Sequence, residues 1–150
     1  MAKTILVVED DRANAVLIET LLTSFGGFRV IWSDDGDDVL ATVAGGGIAA
    51  VLMDVSLRDS RVGRERVDGV DLTRRIRGLP EGSELPVILL TAHAMRGDRE
   101  HLLFSSGAND YVAKPITDQK GFVELVRRHI RSSGAMDSSS HPSPVDDDGG

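Results

Sequence analysis

Residues 4–11 read TILVVEDD, five β-branched or aliphatic residues that run without a break into three acids. A short continuous apolar run, as opposed to alternation of polar and apolar residues, is the pattern of a strand covered on both faces. Four more such runs follow, at Phe28–Ile31, Ala49–Met53, Val87–Leu90 and Asp110–Ala113. Between them apolar residues recur at three- to four-residue spacing, the period of a helix with one buried face. Leu17, Leu21 and Phe25, flanked by Ile18 and Leu22, form the first stripe; Val39, Leu40 and Val43 form the second. Leu72, Ile76 and Leu79 form the third, Leu102, Leu103 and Phe104 a weaker fourth, and Phe122, Val126 and Ile130 the fifth. Gly26-Gly27, Gly45-Gly46-Gly47, Gly78 and Gly107 stand where these helices should stop, since glycine best tolerates helix C-terminal geometry. Strands that alternate with helices need crossovers and therefore pair in parallel. The pattern predicts an α/β, doubly wound, five-stranded parallel sheet with helices on both faces.

The chain has 150 residues, 41% of them hydrophobic and 27% charged, enough for one domain with a substantial core. Seventeen Lys and Arg stand against 24 Asp and Glu, a formal charge of −7, which argues against direct contact with nucleic acid or an anionic membrane. With zero cysteines, a disulfide scaffold, a thiol nucleophile and a cysteine-bound metal are excluded. No apolar run approaches the roughly 18 residues of a membrane span, and the start turns acidic too early for a signal peptide. The expectation is a soluble, cytoplasmic, single-domain protein. Residues 132–150 hold four aspartates and no Lys or Arg. That segment offers almost nothing to pack, so the folded unit is expected over 1–131, followed by a disordered acidic, Ser-rich tail.

Sites in such a sheet form at the carboxyl ends of the strands. There the sequence places Glu9-Asp10-Asp11, Asp54, Thr91 and Lys114-Pro115. Carboxylates brought together repel unless a cation sits among them, and an all-oxygen set suits a hard cation, Mg²⁺ above all. With a hydroxyl and an ammonium beside them, the group looks built for a phosphoryl moiety, and a carboxylate can be its nucleophile. The plainer reading of any single strand-end acid is a solvated loop residue or a helix N-cap, as for Asp11.

Together, ILVVEDD (5–11), VLMDVSL (51–57), VDGVDLTRRIR (67–77), PVILLTAHA (86–94) and GANDYVAKPI (107–116) resemble the receiver domain of two-component response regulators. The lack of an effector domain and the run TAHAMRGDRE (91–100) look most like stand-alone, CheY-like regulators of the DivK type. The resemblance implies strand order 2-1-3-4-5. It implies that Asp54 accepts a phosphoryl group, with Thr91 and Lys114 contacting it. Mg²⁺, with Mn²⁺ as a substitute, would be held by Glu9, Asp10, Asp54 and the backbone carbonyl of Ser56. Lys114-Pro115 would be a cis peptide. Ser56 and His93 would tune the reset rate, His93 either as a general base or as a rim residue. Thr91 and Tyr111 would form the switch that remodels the face of the fourth helix, fifth strand and fifth helix, where Met95, Arg96, Arg99 and His101 could be exposed.

The donor would be a sensor histidine kinase or a histidine phosphotransfer protein, the output a downstream protein bound to that face. The chain would be a monomer or weak dimer that catalyses only its own phosphorylation and slow dephosphorylation. Other readings are a phosphorelay shuttle and a pseudo-receiver that never takes phosphate. A nucleotide-binding enzyme is disfavoured because no G-x-G-x-x-G follows the first strand. One stretch departs from the pattern: Arg58 stands where a proline is common, and Arg58–Arg66 (RDSRVGRER) reads as an insertion of about seven residues, either a solvated, arginine-rich loop or a contact for an acidic partner surface or the chain's own acidic tail.

Overall fold

The computed structural model describes residues 2–92 and 98–139. His93, Met95 and Arg96, and the tail from 140 onward, lie outside the described residues. Five strands, β1 (Thr4–Val8), β2 (Arg29–Ser33), β3 (Ile48–Asp54), β6 (Val87–Thr91) and β7 (Asp110–Ala113), form one parallel sheet in the order β2-β1-β3-β6-β7. This is the doubly wound order expected, with two further short strands, β4 (Arg61–Val62) and β5 (Glu65–Arg66), paired separately as a hairpin. The helices are α1 (Arg12–Ser24), α2 (Gly36–Ala44), α3 (Gly69–Arg77), α4 (Asp98–Ser106) and α5 (Gln119–Ser139), and Pro80–Gly82 make one turn of 3-10 helix.

The uninterrupted apolar strands follow from having two cores. Leu6, Val8, Val51, Met53, Val87 and Leu89 face α2 and α3, meeting Val39, Val43, Leu72 and Ile76. Their alternates Ile5, Val7, Ala50, Leu52, Ile88 and Leu90 face α1 and α5, meeting Ile18, Leu21, Leu22, Phe122, Val123 and Val126. Each residue of a central strand is therefore buried on one side or the other. Edge strand β2 is the exception: it runs on through Trp32 and Ser33, paired with Val7 and Val8, and most of it is exposed. The register puts Val8 beside both Ser33 and Met53, Asp54 beside Leu90, and Thr91 beside Ala113. The four polar strand ends thus emerge along one rim.

The arginine-rich insertion, expected as a solvated loop, is exposed over most of its length but carries a hairpin. Gly63, at φ +60°, turns a hairpin whose Val62 packs on the core. Its Gly63 amide donates to Asp37 at 3.0 Å, and Glu65 pairs with Arg75 at 2.5 Å. Beyond it Gly69 keeps its place: a Cβ there would lie 2.1 Å from the Asp54 carbonyl oxygen, so only glycine lets α3 start against the end of β3. Helix α5 runs eight residues past Arg131 to Ser139, and Ile130 near its middle packs on the core. Once nucleated, a helix extends at little cost through residues such as Ala135 and Met136.

Candidate functional site

At the rim, an acidic cleft of about 720 Å³ is lined by Glu9, Asp10, Asp54, Ser56, Arg58 and Lys114, with Asp11, Asn14, Asp34, Asp35, Asp59 and Ala92 around it. One carboxylate oxygen from each of Glu9, Asp10 and Asp54 lies within 4.8 Å of the others. Glu9 is fully buried and Asp54 is 2% exposed. Main-chain amides and one ammonium hold the three carboxylates in place. The Asp11 amide donates to Glu9 Oε2 at 3.2 Å, the Arg58 amide to Asp10 Oδ2 at 2.8 Å and the Ser56 amide to Asp54 Oδ1 at 3.1 Å. Lys114 Nζ also donates to Asp54 Oδ1 at 3.1 Å. Glu9 Oε1 stands 3.5 Å from the same ammonium, an ion-pair contact without a hydrogen bond, so this buried oxygen keeps an unfilled acceptor.

Three carboxylates against one ammonium leave surplus negative charge in a desolvated place. Burial, reinforced by the neighbouring Asp54 carboxylate, pushes the Glu9 carboxyl up to about 7. Burial works to lower the Lys114 ammonium, but Asp54 and Glu9 beside it outweigh that and hold it above its ordinary value. The donor set is all oxygen and one buried carboxylate oxygen is unfilled. These residues fit a hard divalent cation.

Glu9, Asp10, Asp54, Ser56 and Lys114 are therefore brought together as the sequence suggests. The Lys114–Pro115 peptide is cis. Thr91 is buried at the end of β6, and its carbonyl accepts the Lys114 amide at 2.8 Å, though it does not line the cleft itself. Tyr111 is half-buried on β7, packed on the core, with the Arg99 guanidinium 5.6 Å from its ring centroid. Arg99 and His101 are exposed on α4, and Phe104 there is 91% exposed. Asp11 is the N-cap of α1, its side chain accepting from the Ala13 and Asn14 amides. Sequence reasoning missed Trp32, whose indole Nε1–H donates to the Glu9 carbonyl at 2.7 Å. A lone tryptophan at the rim end of an edge strand was the available signal. It missed Asp34 and Asp35 as well, which follow β2 directly into the cleft.

The response regulator receiver domain family matches residues 5–127. The chain belongs to this family. Its receiver fold is shared with the magnesium-bound receiver domain of sensor histidine kinase PA1611 from Pseudomonas aeruginosa, which is 36% identical at a TM-score of 0.74, covering 87% of this chain and 99% of that one. Hybrid signal transduction histidine kinase I of Dictyostelium discoideum is 40% identical over 84% of this chain, a match that spans 7% of that kinase's length. The polar-differentiation response regulator DivK of Brucella ovis is 28% identical, with 87% of this chain and 98% of DivK aligned. The receiver thus spans only a small part of the kinases it matches and nearly all of DivK. It is a two-component signalling receiver of CheY-like fold. No helix among the described residues is long and apolar enough to cross a membrane.

Proposed function

We propose that this receiver accepts a phosphoryl group onto Asp54 from the phosphohistidine of a sensor histidine kinase or a histidine phosphotransfer protein. The observation that carries this reading is the buried Asp54 carboxylate, 3.1 Å from Lys114 Nζ and within 4.8 Å of Glu9 and Asp10. An oxygen of Asp54 forms a bond to phosphorus while the phosphorus–nitrogen bond of the donor breaks, and the imidazole nitrogen leaves with its electron pair and takes a proton. Lys114 offsets charge on the acceptor and on the phosphoryl oxygens, and the Ser56 amide holds the acceptor's orientation. Glu9, Asp10, Asp54 and the Ser56 carbonyl would hold Mg²⁺ or Mn²⁺, which when bound neutralises charge on the transferring group. Water later cleaves the acyl phosphate, returning the carboxylate and inorganic phosphate, so the chain acts as a catalyst only on itself.

Phosphoryl occupancy would then act through Thr91 and Tyr111 on the α4–β7–α5 face, where a downstream protein docks. Similarity to a small part of a hybrid histidine kinase favours a second use of the same chemistry, passing the phosphoryl group onward to a histidine. Incubation with Mg²⁺ and acetyl phosphate, read by mass spectrometry as a base-labile phosphoryl adduct, tests the proposal. The wild type should be modified and Asp54→Asn should not; an unmodified wild type, or an equally modified variant, rejects it.

A further inference from the structure

The peptide unit that joins Glu9 to Asp10 lies beyond the last residue of β1, so the strand ladder does not hold it. Its neighbourhood shows how it is held instead. The Glu9 amide donates to the Ser33 carbonyl at 3.2 Å, one step past the regular register. In a parallel ladder the next bond would run from the Asp35 amide to the Glu9 carbonyl. The Asp35 amide is turned away and donates to Ser33 Oγ at 3.3 Å. The indole Nε1–H of Trp32 takes the vacant place, 2.7 Å from the Glu9 carbonyl oxygen.

Because the peptide unit is planar, fixing that one carbonyl fixes the direction in which both neighbouring residues leave it. The two residues are the acids that face the candidate cation site with Asp54. Like-charge repulsion among these carboxylates favours turning the unit away, and the indole bond opposes that turn. Core packing does not account for the tryptophan, since Trp32 is 43% exposed on an edge strand. We infer that Trp32 is a positioning residue for the cation site: its indole N–H locks the Glu9–Asp10 peptide so that both carboxylates converge on one ion. This rests on the metal-dependent reading of the cleft proposed above.

The test is calorimetric titration of Mg²⁺ into wild type and Trp32→Phe, which keeps a ring and loses the N–H. The dissociation constant for Mg²⁺ should rise about tenfold, as for outer-shell partners of metal ligands generally. Modification by acetyl phosphate should recover at saturating Mg²⁺, which separates lost affinity from lost structure. An Mg²⁺ affinity unchanged by the substitution overturns the inference while leaving the phosphoacceptor reading intact. A wild type that binds no Mg²⁺ overturns both. Should Trp32→Phe fold poorly, the single indole N–H resonance of the ¹⁵N-labelled wild type decides. A resonance that moves in step with Mg²⁺ saturation supports the role, and one that stays fixed overturns it.

Discussion

Glu9 and Arg77 are both charged side chains withdrawn from water, Glu9 wholly and Arg77 in part, and the molecule treats them in opposite ways. The Arg77 guanidinium donates to four acceptors: the carbonyls of Gly82 at 2.7 Å, Leu85 at 2.6 Å and Gly107 at 2.9 Å, and Asn109 Oδ1 at 2.9 Å. Burial pulls its pKa below the ordinary arginine value, with Glu84 acting the other way. No carboxylate hydrogen-bonds to it among these contacts; its charge is met by dipoles that tie α3 to the 3-10 turn and to the chain entering β7. Glu9 has a carboxylate neighbour, an ammonium 3.5 Å from Oε1 and no hydrogen bond at that oxygen. A half-buried charge whose hydrogen bonds are filled mostly by the backbone serves the scaffold. A buried carboxylate left short of partners, among others of its own sign, marks a candidate binding site.

The contrast can be broken at either end. The largest effect is expected from Asp54→Asn, which should abolish the acetyl phosphate adduct while leaving urea unfolding no less cooperative. Next, Arg77→Ala should cost about 2 kcal/mol of stability, because four acceptors around a half-buried cation lose their donor. Urea melts would show it, and the phosphoryl adduct should still form in the folded fraction. Glu9→Gln should go the other way, stabilising the metal-free protein by about 1 kcal/mol through relief of repulsion. The same change should weaken Mg²⁺ binding, so that thermal melts with and without Mg²⁺ converge. A Glu9→Gln protein less stable than wild type would place Glu9 with Arg77 as a scaffold group.

The sequence made one side of this contrast legible and hid the other. Glu9, Asp10, Asp54 and Lys114 follow apolar runs directly, and parallel strands in register bring such ends together whatever the loops do. The two-sided core followed from the same continuous apolar runs, and the strand order from the resemblance to receiver domains. Arg77 is one of three arginines in RRIR, and nothing in that run tells which will be held by four acceptors, because these are mostly main-chain carbonyls of the following turn and of the loop before β7. Trp32 was hidden for a related reason, as its partner is a main-chain oxygen. The insertion at 58–66 was visible as extra length, but its hairpin depends on Asp37 and Arg75 meeting it from two helices. Where a contact is made between side chains at strand ends, spacing reveals it; where the backbone is the partner, only the fold does.

Asp110 lies between the two cases and gives the smallest expected effect. It accepts from Arg99 of α4 at 3.0 Å and from its neighbour's amide on Tyr111 at 2.8 Å, and its other oxygen lies 3.0 Å from His129 Nε2 of α5. Burial alone would raise its carboxyl, but His129, the Tyr111 amide and Arg99 together hold it below the ordinary carboxylate value. A lowered carboxyl contributes stability that is complete above the unfolded-state pKa, near 4 for aspartate. That contribution is lost as pH falls through the lower folded value. Asp110→Asn should therefore cost about 1 kcal/mol at pH 7 and make the acid limb of stability shallower below about pH 4. Urea melts from pH 3 to pH 7 would measure both. Unlike Glu9, whose partners leave an oxygen open, Asp110 is satisfied by groups from both helices that flank Tyr111. A variant with an unaltered acid limb would show that these contacts follow the packing of α4 and α5 instead of holding it.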